Sequence, residues 1–92
     1  MASSIIKRAH DFSGAPYRGT LASLTDGGVY EVRTDYTTDM PSDLASGTIG
    51  NLLVIQTLLI HQVLFIGNSY IYVRRYIGSW SEWKKVTLSA IS

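Results

Sequence analysis

The chain has 92 residues, enough for one small domain and not for two. It contains no cysteine, which excludes disulfides and thiolate metal sites and fits folding in a reducing cytoplasm. Hydrophobic residues make up 46% of the chain and charged residues only 16%, against about 25% charged in ordinary globular domains. A small domain so short of charge is expected to turn apolar surface towards a partner, as a homo-oligomer or a docked subunit. The net charge of +1, with acids and bases interleaved, argues against nucleic acid as a main partner.

The first residues, Met-Ala-Ser-Ser-Ile-Ile-Lys-Arg8, lack the apolar region of about 7–15 residues that a signal peptide needs. Residues 1–20 read as an N-terminal arm, because the segment from Asp11 to Thr20 is rich in turn formers. Ile5, Ile6, Phe12 and Tyr17 are its candidate anchoring side chains, suited to a groove on a particle or a sister subunit. Residues 21–92 read as the folded domain.

Leu21-Ala-Ser-Leu24 is a short apolar approach with room for one helical turn, and Thr25-Asp-Gly-Gly28 is a turn. Residues 29–34 alternate as a half-buried strand, with Tyr30 and Val32 on one face and Val29, Glu31 and Arg33 on the other. Residues 35–50 form a long loop in which Ser42 or Asp43 is placed to cap a short helix through Leu44. Asp35, Asp39 and Asp43 recur every four residues there, but the spacing matches no oxygen-ligand calcium loop and no bidentate Glu follows. A solvated loop is expected, with no metal and no cofactor.

Residues 51–57 are apolar on both faces, which predicts a central strand covered on both sides or lying at an interface. The apolar run 52–66 is interrupted by Gln56, Thr57, His61 and Gln62. It falls short of the roughly 18 residues a membrane span requires, so none is expected. Its β-branched residues favour strand over helix, although a turn near residues 58–61 lacks Gly, Pro, Asn and Asp. One strand, a hairpin and a partly helical segment all remain open. Gly67-Asn-Ser69 is a hairpin turn. The next strand puts Tyr70, Tyr72, Arg74 and Tyr76 on one face and Ile71, Val73 and Arg75 on the other; Gly78-Ser79 turns the chain, and residues 80–88 read as the last strand.

Catalytic signatures are missing from this pattern. His10 and His61 are far apart, and His61 sits in an apolar run where a core or turn histidine is the simpler reading. There is no Gly-x-Ser-x-Gly elbow, Walker loop or His-Glu-x-x-His. The aromatic and arginine face has three readings: packing within the core or between subunits, contact with a partner protein, or glycan binding with Tyr70 and Tyr76 as candidate contacts.

Five elements in order resemble the knob domain of R-type pyocin and bacteriophage tail fibres. They are Gly28-Val-Tyr-Glu-Val32, the loop with Pro41 leading into Gly50-Asn-Leu-Leu-Val-Ile55, Gln62 in an apolar context, Tyr72-Val-Arg-Arg75, and Trp80-Ser-Glu-Trp-Lys-Lys-Val86. The resemblance covers residues 21–88 and departs from the family in the apolar Leu58-Leu-Ile60 and in the nearly free-standing domain. It implies that Tyr30, Gln62, Tyr72, Arg74, Trp80 and Trp83 form the framework of the domain. It further implies a virion component made in the host cytoplasm, in a tail fibre or decorating the head. Such a component would assemble as a homo-oligomer, commonly a trimer, and dock on other virion proteins without enzymatic activity. A module that binds host surface glycans is the alternative, and a small glycan-cleaving enzyme a further one. The expected fold is mainly β, or small α+β: an antiparallel sheet of about four or five strands with at most a short helix.

Overall fold

A computed structural model describes residues 16–67, 70–89 and 91. As expected, the fold is mainly β. Five strands, β1 (Gly28–Arg33), β2 (Ile49–Gln56), β3 (Ile60–Ile66), β4 (Tyr70–Tyr76) and β5 (Lys84–Thr87), form one antiparallel sheet in the order of the chain. The one helical element among the described residues is the 3-10 turn Leu21–Ser23. No helix among them is long and apolar enough to cross a membrane. Ile5, Ile6, His10 and Phe12 lie outside the described residues.

The run 52–66 is a hairpin. Gln56 pairs with Ile60, and residues 57–59 make the turn. Thr57 supplies what glycine or asparagine would otherwise give: its N–H donates to the Leu59 carbonyl at 2.8 Å, and its hydroxyl bonds the same residue. Leu58 stands fully exposed at the tip. After β3 the chain turns through Gly67, whose φ of +59° lies where glycine is favoured. No helix forms through Leu44. Two successive turns, Leu44 N–H to Pro41 O and Thr48 N–H to Ala45 O, take its place, and Ser42 and Asp43 cap nothing.

The two faces of the sheet differ. One is covered by the Leu21–Ser23 turn and by the loop between β1 and β2. Its central row runs Tyr30, Leu52, Leu64, Tyr72 across four strands, each of them buried. Leu21 and Leu24 close over it. Burying side chains of this size gives about 1.5–3 kcal/mol each, so this one layer supplies most of the hydrophobic stabilisation. The other face carries Leu53, Val63, Phe65, Ile71 and Val73, and nothing in the described chain covers it. Within the described residues the central strands are therefore closed on one side only.

The expected arm is part of this cover at its end. Tyr17 N–H donates to the Glu31 carbonyl at 2.9 Å, its ring meets Tyr30 edge-on at 6.3 Å, and Gly19 bridges to Thr37.

The close fit on the covered face shows at Gly50, which lies between Val32 and Ile66 in its row. A methyl group there would come within 2.7 Å of the Ile66 side chain, 3.0 Å of Leu64 and 3.2 Å of the Phe65 carbonyl oxygen. Ala would ordinarily stiffen a strand glycine favourably by under 1 kcal/mol. Here the overpacking outweighs that gain, so Gly50→Ala is expected to lose about 1–3 kcal/mol in urea unfolding.

Candidate functional site

Arg74 is the centre of the polar architecture. It projects from β4 into the covered face with its side chain only 7% exposed. Its Nε donates to Gln62 Oε1 at 2.7 Å, and a terminal nitrogen donates to Asp39 Oδ2 at 3.0 Å. Its guanidinium lies over the rings of Trp80 and Trp83, 4.5 and 4.4 Å from their centroids. Burial pushes the Arg74 pKa down, and Asp39 opposes that shift.

The partners of Arg74 are themselves tied to the cover. Gln62 is fully buried, and its amide donates to the Leu21 and Leu24 carbonyls. The Asp39 carboxylate accepts from the backbone N–H groups of Leu21 and Ala22, capping the 3-10 turn that Thr20 does not cap with its side chain. The Trp83 indole N–H donates to the Asp39 carbonyl at 2.9 Å. No buried side-chain nitrogen or oxygen is left unpaired among the described residues.

Both tryptophans reach one arginine because the returning chain slips. Residues three apart on a regular strand point to opposite faces. Between the Tyr76–Trp80 bridge and the Val73–Lys84 pair, β4 advances three residues while the returning chain advances four. The extra residue acts as a bulge and turns Trp83 to the covered side. The expected strand over residues 80–88 is accordingly shorter: only Lys84–Thr87 is regular, and before it Ser81 holds β4 by exchanging bonds with Arg75.

Beside this cluster lies a cleft of about 450 Å³. The β1–β2 loop lines it with residues including Met40, Pro41 and Asp43; Tyr72, Trp83, Lys85 and Glu82 line the rest. The Tyr72 hydroxyl donates to the Asp43 carboxylate at 3.1 Å, and Lys85 Nζ meets that carboxylate at 3.2 Å. Desolvation raises the Asp43 pKa, but hydrogen bonds from Lys85 and Tyr72 outweigh it and hold the carboxyl below its usual range. The Asp43 hydrogen bond lifts the Lys85 pKa. Desolvation, and then Asp43, lift that of Tyr72. A carboxyl held low stays ionised at neutral pH and makes a poor proton donor. The cleft therefore offers an aromatic ring, an acceptor and a cation for binding.

The three loop aspartates go separate ways. Asp35 accepts from Ser46 and Gly47, Asp39 holds Arg74 and the 3-10 turn, and Asp43 holds Tyr72 and Lys85. No cluster of three metal-binding side chains exists among the described residues. Of the residues singled out from the sequence, Gln62, Arg74, Trp80 and Trp83 meet in one cluster, and Tyr30 and Tyr72 belong to the core beside it. Tyr70 and Tyr76 lie at opposite ends of β4, 37% and 38% exposed, and do not share a site. Tyr76 packs on Trp80 at 5.3 Å, while the Lys85 ammonium lies 4.2 Å over the Tyr70 ring. His61 lies on the open face, opposite Arg75, and not in the core. Asp39, Asp43 and Lys85 carry no signal in the sequence that marks them as site residues; their partners lie 17 to 44 residues away, and no local spacing marks such pairings.

Comparison with known proteins found no match to a protein-family model, a curated protein or a solved structure.

Replacing Arg74 by Lys keeps the charge but loses the fork that bonds Gln62 and Asp39 together. Arg74→Lys should cost about 2–4 kcal/mol in denaturant unfolding. The Asp43 contact has a definite pH dependence. A carboxyl with a lowered folded pKa stabilises above its unfolded value, near 4, and loses that contribution as pH falls through the folded one. The melting-temperature gap between the native chain and Asp43→Asn should therefore narrow between pH 5 and about pH 3.

Proposed function

We propose that this chain is a non-enzymatic structural component of a bacteriophage particle, in a tail fibre or decorating the head, that assembles with copies of itself and docks on other virion proteins. The observation that carries this reading is the Arg74 cluster. Elements that support the resemblance to pyocin-knob domains, namely Gln62, the Tyr72-Val-Arg74 strand and the two tryptophans, converge on one bonded core that fastens loops to a sheet. Such a framework suits a rigid docking module: its polar side chains are spent on one another. An open apolar sheet face agrees with life in an assembly.

The cleft beside Trp83 favours a second reading, binding of a host surface glycan. Rings stack on the apolar faces of sugars, and the Asp43–Lys85 pair supplies an acceptor and a donor for hydroxyls. On this reading Trp83, Lys85 and Asp43 are the contacts we propose, rather than the expected Tyr70 and Tyr76.

Mass spectrometry and immunogold labelling of purified particles test the first reading. The chain should co-purify at a fixed copy number and label fibres or head. Its recovery only as free protein in the lysate would overturn the assignment. A glycan array tests the second: binding that Lys85→Ala weakens at least tenfold, with folding unchanged, supports it, and silence across the array removes it.

A further inference from the structure

The open face of the sheet has the anatomy of an interface. Its centre is apolar: the row Val29, Leu53, Val63, Val73 crosses four strands, and Phe65 with Ile71 extends it. Polar side chains lie around this centre, with Arg33, Glu31 and Asn51 at the β1–β2 corner, Asn51 directly beside Phe65, and His61, Arg75 and Lys84 at the other end. An apolar centre ringed by polar groups is how stable protein contacts are built. Phe65 is 38% exposed and Val86, beyond Ile71 in the same row, 46%, values that large apolar residues seldom keep together on an isolated small domain.

Size argues for what covers it. Five strands of four to eight residues, spaced by about 4.8 Å and rising about 3.4 Å per residue, make a face on the order of 500 Å² in projection. Standard interfaces bury about 800 Å² of accessible surface on each side, the same order for a surface studded with side chains. A peptide strand or a single helix would cover only part of such a face. A second sheet of equal size covers all of it, because sheets stack face to face about 10 Å apart with their side chains interleaved. The one sheet of that size and pattern certain to be present wherever this chain is made is another copy of it.

We infer that the open face of the sheet, centred on Val63 and Phe65, is the surface through which copies of this chain associate. The inference rests on the homo-oligomer part of the proposed function and names its contact. The Arg74 cluster and the cleft lie on the opposite face and stay free for docking or ligand. Two faces can close directly on each other, or three can turn towards a common axis; either buries the same residues.

Sedimentation equilibrium of the full chain from about 1 µM to 1 mM, beside Phe65→Arg and Val86→Arg, tests this. Leu58→Arg serves as the control, since Leu58 is exposed at a hairpin tip away from the face. Circular dichroism and tryptophan fluorescence report the fold of each variant. The native chain and Leu58→Arg should form a dimer or trimer. Phe65→Arg should raise the dissociation constant at least about 100-fold while remaining folded. If Phe65→Arg fails to fold, Val86→Arg at the sheet edge and a soluble spin label on the native oligomer decide the matter: Phe65 and Ile71 signals should be shielded from the label. A native chain that stays monomeric to 1 mM overturns the inference, leaving the face to residues 1–15 or to another virion protein. An oligomer untouched by folded Phe65→Arg overturns it as well. Neither result bears on whether the chain co-purifies with particles, so the virion assignment fails or stands separately.

Discussion

A guanidinium taken out of water is costly unless every direction it faces is satisfied, and Arg74 answers that constraint with four partners at once. Gln62 and Asp39 take its hydrogen bonds, and two indole rings take its faces. Three of those partners have a second obligation in the cover. Gln62 holds the carbonyls of Leu21 and Leu24, Asp39 holds the amides of Leu21 and Ala22, and Trp83 holds the Asp39 carbonyl. The loops above the sheet carry little regular structure of their own. They are fixed from beneath, by one charge on β4.

This arrangement divides the molecule in two. On the covered side, polar side chains are consumed in holding the fold, and what is left at the surface is the cleft between the β1–β2 loop and Trp83. On the open side, the sheet shows aliphatic and aromatic residues in register with no cover from the described chain. A domain so short of charge cannot coat both sides with polar groups. The sequence composition and the one-sided core are thus the same fact seen at two levels.

The alternation of Val29, Tyr30, Glu31, Val32 and of Tyr70 to Tyr76 made β1 and β4 legible, because a period of two needs no knowledge of the partner strand. The hairpin within residues 52–66 is not legible in the same way, because Thr57 turns the chain without any of the residues that usually mark a turn. The bulge before β5 was hidden for a different reason: it shows only when both strands are aligned, and it alone lets Trp80 and Trp83 face the same side. No period or spacing marks Gln62, Arg74 and the tryptophans as framework; only the resemblance to a family implies it. That Asp39 is the group that joins them to the cover could not be read from its place in a regular series of aspartates. The same series made Asp35, Asp39 and Asp43 look alike, although their partners differ completely.

If Arg74 fastens the cover to the sheet, the cover should open only when the whole domain opens. Native-state hydrogen exchange of the Leu21 and Ala22 amides, with that of the Trp83 indole, measures this most directly. The account predicts protection close to that of the β2 and β3 amides, set by global unfolding. Rapid exchange at these three sites while the strand amides remain protected would contradict it.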